Sequence, residues 1–292
     1  MLLQQLINAV TLGSTYSLVA LGYTLVFGTL GVVNMAHGSI FMAGAFVGYL
    51  LSEAAGLSLP LALLGAMVAG AAFGALLELV ALRPLRRRSS SMLSALISTV
   101  GFGIVLQNVF LTVYGPEARS FSASVTATAF RVAGLTFTTI DLVILGVSAA
   151  LMGGLVLLLY RTRLGKAMCA VAENAEAASL LGINPNFIYL ATVALASAIA
   201  GAAGMLVGFA FAVQPAMGVP YAFKGLAIIV LGGMGSVPGA VVGGMVLGFV
   251  EVMTIQFFSS SWRDAAAFAM LFLLLVLRPQ GLFGTRFERG RA

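Results

Sequence analysis

The sequence predicts an all-α, polytopic membrane protein of about eight transmembrane helices, with one broken or re-entrant hairpin and a short helix in a cytoplasmic loop. Three observations carry that prediction. Hydrophobic residues fill 61% of the 292 positions and charged residues only 8%, against about 45–50% and about 25% in a soluble domain. The apolar residues fall in continuous blocks, so that the first charged side chain is Glu53 and the first basic one Arg83. A helix needs roughly 20 apolar residues to cross hydrocarbon. Finally, 11 of the 15 basic residues sit in three groups: Arg83–Arg88, Arg161–Lys166, and a tail with Arg278, Arg286, Arg289 and Arg291. The positive-inside rule places all three groups in the cytoplasm.

Those groups order the elements of a single transmembrane domain spanning 1–292. Residues 3–29 and 39–52 form two apolar arms around a break at Gly28–Gly38, and residues 60–82 run to a cytoplasmic loop at 83–91. Counting back from that loop puts the N-terminus outside. The N-terminus lacks a basic flank and a cleavage site, so it reads as the start of a helix and not as a removable signal. Residues 92–113 cross outward, 114–140 form a polar outer loop with Glu117, Arg119 and Arg131, and 141–160 return. A second cytoplasmic loop covers 161–187, and 188–212 cross outward again. Residues 223–256 must then start and finish outside. Their leading arm, 223–231, looks too short to cross, and Gly232–Gly239 is dense in helix breakers, hence the re-entrant hairpin. Residues 264–278 come back to a cytoplasmic tail at 279–292.

The 35 glycines fit this architecture. Strings such as Gly201-Ala202-Ala203-Gly204 let helix backbones approach closely in a bilayer. A β-barrel would need alternating strands of about ten residues, which these unbroken runs are not.

The two Gly-rich breaks suggest a weak internal repeat. Broken elements at matching places often line a transport pathway, although tight turns between short helices would give the same spacing. The candidate pathway or gate residues are Asn34, His37 and Gly38 in the first break, and Gly232, Gly233, Gly235, Ser236, Pro238 and Gly239 in the second. Irregular backbone at membrane depth persists only where protein or water satisfies it, and half-helix ends favour the charged groups of a zwitterion. Glu78, five residues before Arg83, is expected in a local ion pair. Lys224 and Glu251 are expected to anchor at the outer interface by snorkelling.

Several functions are excluded. No phosphate-binding Gly-x-x-x-x-Gly-Lys-Ser/Thr loop occurs, so ATP is not bound by that route. One histidine, His37, and one cysteine, Cys169, give neither a metal cluster nor a disulfide. The acidic residues form no catalytic pair, and no catalytic residue is assigned. The net charge of +6 reflects the basic loops and not nucleic-acid binding.

The informative segment is the second cytoplasmic loop. A helix is expected from Val171 to Leu181, stopped by Gly182. Three- and four-residue spacing puts Ala177, Leu180 and Leu181 on one face, with Glu173 and Glu176 on a neighbouring strip. A helix lying on lipid would carry a basic polar face. This one is acidic, which favours a protein partner.

Glu176-Ala177-Ala178 followed by Gly182 resembles the EAA loop of bacterial ABC importer permeases. Further segments resemble the branched-chain amino-acid permease family in order along the chain: Ala20–Gly28 with Gly31–Gly38, Arg83–Arg86 with Leu96–Gly101, Val230–Ala240, and Arg278–Gly284. The chain is most similar to the shorter of that family's two permease types. The resemblance implies that Glu173, Glu176, Ala177, Ala178, Leu180, Leu181 and Gly182 form a coupling helix. It implies two ATPase partners that hold ATP and Mg, leaving no cofactor on this chain. It also implies a second permease subunit (a related chain or a second copy), a periplasmic or extracellular substrate-binding protein, and a place in the bacterial inner membrane. The expected cargo is branched-chain amino acids, with urea or short amides as the alternative. A carrier driven by an ion gradient is the rival of another class. It would usually need charged groups deep in the membrane, and these look scarce.

Overall fold

The computed structural model describes residues 2–88, 91–122, 129–132, 135–278 and 280–283. Most of the expected tail, including Arg286, Arg289 and Arg291, lies outside the described residues, as do parts of the 83–91 and 114–140 loops.

The chain opens with α1 (Leu2–Leu30), followed by α2 (His37–Tyr49), which ends in a π-helical turn over Leu50–Ala54. Next comes α3 (Leu59–Leu77), continued through a second π-helical turn (Glu78–Leu82) into the basic α4 (Arg83–Arg87). After α5 (Met92–Tyr114), a short antiparallel hairpin pairs β1 (Ala129–Val132) with β2 (Leu135–Thr138). Then follow α6 (Thr139–Arg161), α7 (Arg163–Glu173), α8 (Ala175–Leu180) and α9 (Pro185–Ala210). A 3₁₀ turn at Pro215–Met217 leads into α10 (Gly218–Gly232), then α11 (Val237–Phe257) and α12 (Arg263–Leu277). Among the described residues, eight helical stretches are long and apolar enough to cross a membrane. The protein is therefore an all-α, multi-pass membrane protein, as the sequence predicts.

Two expectations need correction, and the outer loop gains an element. The arm before the second break is not too short. It starts at Pro215, and Pro215–Gly232 is an 18-residue apolar stretch. Pro220 lies in the first turn of α10, where its missing N–H costs nothing. The polar outer loop carries the β1–β2 hairpin. The expected single helix at Val171–Leu181 is two helices, discussed below.

α1 and α9 are the most buried of the long helices. α1 runs antiparallel to α11 along a seam of small residues. A methyl group added at Gly13 would sit 2.9 Å from the Met245 Cα, and one at Gly248 would sit 2.6 Å from the Gly13 Cα. α9 packs in the same way on α2 and α3, where side chains at Gly201 or Gly204 would collide with the Ala66 or Phe41 carbonyl. Without a hydrophobic drive between helices in lipid, such close backbone packing supplies the attraction. The peripheral helices α3, α5, α6 and α12 expose rows of large apolar side chains, such as Leu61, Leu64, Val68 and Leu76 on α3.

The two ends of the bundle differ. At one end, the Gln4 side chain holds the Thr136 backbone by two hydrogen bonds of 2.8 and 2.9 Å, and Gln5 meets Gln256 at 2.7 Å. Glu53 accepts from the hydroxyl and the backbone N–H of Ser122, and these bonds, the hydroxyl first, hold its carboxyl below the usual carboxylate range. The N-terminus thus shares an end with the 114–140 loop. At the opposite end, Arg86 stacks over the Tyr189 ring at 4.2 Å, joining the first basic cluster to the start of α9. Arg86 also forms the ion pair with Glu78.

Candidate functional site

Three groups of residues stand out: the α7–α8 loop, the two Gly-rich breaks, and a buried ionic cluster that the sequence reading missed.

The loop begins with α7, capped by the Thr162 hydroxyl. It buries Gly165, Met168 and Val171 against the bundle and exposes Lys166 and Cys169. The helix stops at Asn174, whose extended backbone breaks it and whose side chain accepts the Ala177 N–H at 2.9 Å to start α8. Glu173 therefore ends α7, and Glu176 sits in the first turn of α8. Asn is a strong N-cap and disfavours helix interiors, and that is why one expected helix becomes two. At the other end, Gly182 adopts φ +83. The Gly182 N–H bonds the Ser179 carbonyl at 3.0 Å and the Ile183 N–H bonds the Ala178 carbonyl at 3.1 Å. This is a Schellman cap, which a glycine at that position favours. Ala178 alone in this short helix is buried. Glu176, Ala177 and Gly182 are exposed, and Leu180 and Leu181 are 89% and 82% exposed.

The two breaks meet where Gly28 lies against Gly235, and the chain then returns so that Gly38 lies at the start of α10. In the first, Asn34 and His37 are fully buried. The Asn34 side chain accepts the Ala36 N–H at 3.1 Å, and Thr99 of α5 accepts the Met35 N–H at 3.2 Å. His37 lies against the Tyr23 ring, 4.5 Å between centroids. It faces the Val19 backbone, and no side chain pairs with it. Both His37 and Gly38 belong to the first turn of α2 and not to the break. Gly38 meets the first residue of α10, Gly218, with no room for a side chain on either. Two helix N-termini thus lie side by side in the interior. Beside them is a cavity of about 130 Å³ lined by residues including Ser39, Gly103, Gln107 and Phe223. N–H groups at such ends favour a carboxylate.

The second break is a tight turn. Gly233 and Gly235 have φ +103 and +86, the Ser236 hydroxyl caps α11 through the Gly239 N–H at 3.1 Å, and Pro238 falls in the first turn of α11. Gly232 and Gly239 pack backbone to backbone. The C-terminal segment closes over them: the Leu282 and Phe283 N–H groups bond the Leu231 and Gly232 carbonyls at 2.8 and 2.9 Å.

Lys224 and Glu251 do not snorkel. They pair with each other at 2.8 Å, and Lys224 also reaches Asp264 at 3.1 Å. Arg263 binds Glu251 at 2.5 Å, and the Tyr16 hydroxyl donates to Glu251 at 2.6 Å. Snorkelling fails because α1 and α12 close over the pair, leaving Glu251 no exposure. The signal was present in the sequence: ionisable residues inside apolar spans are expected to pair in the bundle interior. Charged groups inside the spans are thus less scarce than the sequence suggested.

Long apolar helices, an interior sealed by glycine seams and paired internal charges define the class: a polytopic α-helical membrane protein. Within that class, the chain belongs to the family described as branched-chain amino acid transport system / permease component, which matches residues 5–277. It is 37% identical to the high-affinity branched-chain amino acid transport system permease protein BraD of Pseudomonas aeruginosa, over 97% of this chain and 95% of that one. It is also 37% identical to LivH of Escherichia coli, named as a permease protein of the same kind, with the same coverage. LivM of Escherichia coli, another such permease protein, is 28% identical over 94% of this chain and 69% of its own length. A solved structure titled PsaBC from Streptococcus pneumoniae in complex with Fab matches with a TM-score of 0.52 at 16% identity, over 96% of this chain and 92% of that one. That match bears on the fold alone.

Proposed function

We propose that the chain is the membrane-spanning permease subunit of an ATP-driven ABC importer for branched-chain amino acids. The family match over residues 5–277 carries this reading. On it, the chain catalyses no bond chemistry, and ATP and Mg belong to two ATPase subunits. Those subunits dock on Glu173, Glu176, Ala177, Ala178, Leu180, Leu181 and Gly182. In support, Leu180 and Leu181 stand almost fully exposed on a capped, rigid turn, and exposed apolar side chains of that kind mark a protein contact. The second permease subunit is a related chain or a second copy; the similarity of this chain to both LivH and LivM of Escherichia coli favours a related chain. A substrate-binding protein delivers cargo to the end that carries the β-hairpin. The protein sits in the bacterial inner membrane with its basic loops and C-terminus in the cytoplasm. The interior helix ends at Gly38 and Gly218 are the candidate contact for the carboxylate of the amino acid, and the second break is the candidate cytoplasmic gate.

The test is uptake of radiolabelled leucine, with labelled urea in parallel, by vesicles holding the whole complex, its binding protein and internal ATP. ATP-dependent leucine uptake is expected. A Leu180→Asp, Leu181→Asp double variant should insert normally and lose uptake more than about tenfold, because both side chains face solvent and their burial at a partner is worth roughly 1.5–3 kcal/mol each. Uptake of urea alone would replace the cargo and keep the architecture. Leucine uptake by this chain without ATP would overturn the reading in favour of a carrier.

A further inference from the structure

The basic cluster at the end of α3 has a second role that coupling and topology do not account for. Arg83, Arg87 and Arg88, with Leu79 and Pro84, line a cavity of about 380 Å³. Glu78 is the one acidic residue between Glu53 and Glu117, and Arg86 takes it. Among the described residues, Arg83, Arg87 and Arg88 have no carboxylate partner. The Arg83 Nε–H is buried and donates to nothing. A buried donor left unpaired is costly, and Arg83, half-buried, with the exposed Arg87 and Arg88 lines the open cavity with positive charge that no carboxylate of the described residues balances. Planar guanidinium groups suit phosphate oxygens.

The apolar side of the cavity indicates where that anion comes from. Leu76, Leu79 and Val80 are exposed, and they continue the row formed by Leu61, Leu64 and Val68 down α3. An apolar stripe of membrane length therefore leads directly into a pocket of three arginines. The half of that stripe next to the arginines has the outline of one acyl chain of one leaflet, about half of the hydrocarbon thickness, with its headgroup. A soluble protein would contact the arginines but would not reach the stripe.

We propose that this pocket holds the phosphate of an anionic phospholipid, with Arg83 and Arg87 as its principal ligands, Arg88 at the rim, and an acyl chain along Leu76 and Leu79. The bound lipid fixes the junction of α3 and α4, next to the Arg86–Tyr189 contact that leads into α9.

The test uses the chain purified from membranes with its co-purifying subunits, transferred to nanodiscs of phosphatidylglycerol and phosphatidylcholine, and read by native mass spectrometry for retained lipid. Wild type should retain phosphatidylglycerol selectively. An Arg83→Gln, Arg87→Gln double variant should lose that retention by about tenfold or more. Arg83→Lys, Arg87→Lys should keep most of it and so exclude misfolding as the cause. Arg161→Gln, Arg163→Gln removes the same charge elsewhere on the same face and should change nothing. Equal loss in that control would overturn the proposal in favour of diffuse attraction. Displacement of the lipid by millimolar inorganic phosphate would overturn it in favour of a soluble anion. Unchanged lipid with loss of a co-purifying subunit in the Gln variant would overturn it in favour of a protein surface.

Discussion

The two glycine-rich breaks look alike in sequence and differ in where they put polarity. In the first, polar groups sit in the break and in the helical turn that follows it: Asn34 and His37 are buried, with His37 against Tyr23 and Thr99 accepting the Met35 N–H. In the second, the turn is mostly backbone, and the charges lie at the far, open end of the helix pair, where Lys224, Glu251, Arg263 and Asp264 meet. One element keeps its polar residues in and just after the turn; the other uses them to tie its open end to α1 and α12. Gly and Pro spacing reports where a helix must stop, but not what the stop is for.

This contrast can be broken experimentally, and the largest effect is expected at the ionic end. Glu251→Leu leaves the buried Lys224 and the partly exposed Arg263 without their shared carboxylate and should cost about 3 kcal/mol of stability, read as a fall in the melting temperature of the solubilised protein. Adding Lys224→Met should recover part of that loss. If the double variant is as unstable as the single one, charge pairing does not hold the hairpin closed. Next comes the interior contact of the first break. Gly38→Val places side-chain atoms against the Gly218 carbonyl and the Ala222 methyl, and overpacking of this kind costs about 1–3 kcal/mol. The smallest effect belongs to the exposed part of the second break. Gly235→Ala meets no atom closer than the Gly28 Cα at 3.8 Å and should cost only the left-handed backbone strain, about 1–2 kcal/mol. A Gly235→Ala penalty above that of Gly38→Val would reverse the comparison.

Much of the fold is legible in the sequence because hydropathy and basic clusters are local signals. α5, α6 and α12 begin and end within a few residues of expectation for that reason. What escaped depends on contacts between distant residues. Tyr16 and Glu251 meet across 235 positions, and no local pattern announces that pairing. The β-hairpin was hidden in a polar stretch whose composition reads as loop. The split at Asn174 was readable in principle, since an N-cap residue with Glu176 behind it in the first turn is a helix-start signature. The Ala-rich run on both sides masked it. Within the candidate site, spacing located the exposed leucines of α8, but their shared face is turned to solvent, a placement that periodicity alone does not determine.

The strap formed by Leu282 and Phe283 has a consequence for biosynthesis. Translation runs from the N-terminus, so α10 leaves the ribosome well before the residues that satisfy its last carbonyls. Until the strap arrives, the Leu231 and Gly232 carbonyls have no partner from it and must be met by water. The hairpin is thus completed only after all of the long apolar helices among the described residues have been made. A chain truncated before residue 280 would carry all eight long apolar helices of the described residues and still lack the contact that satisfies the Leu231 and Gly232 carbonyls.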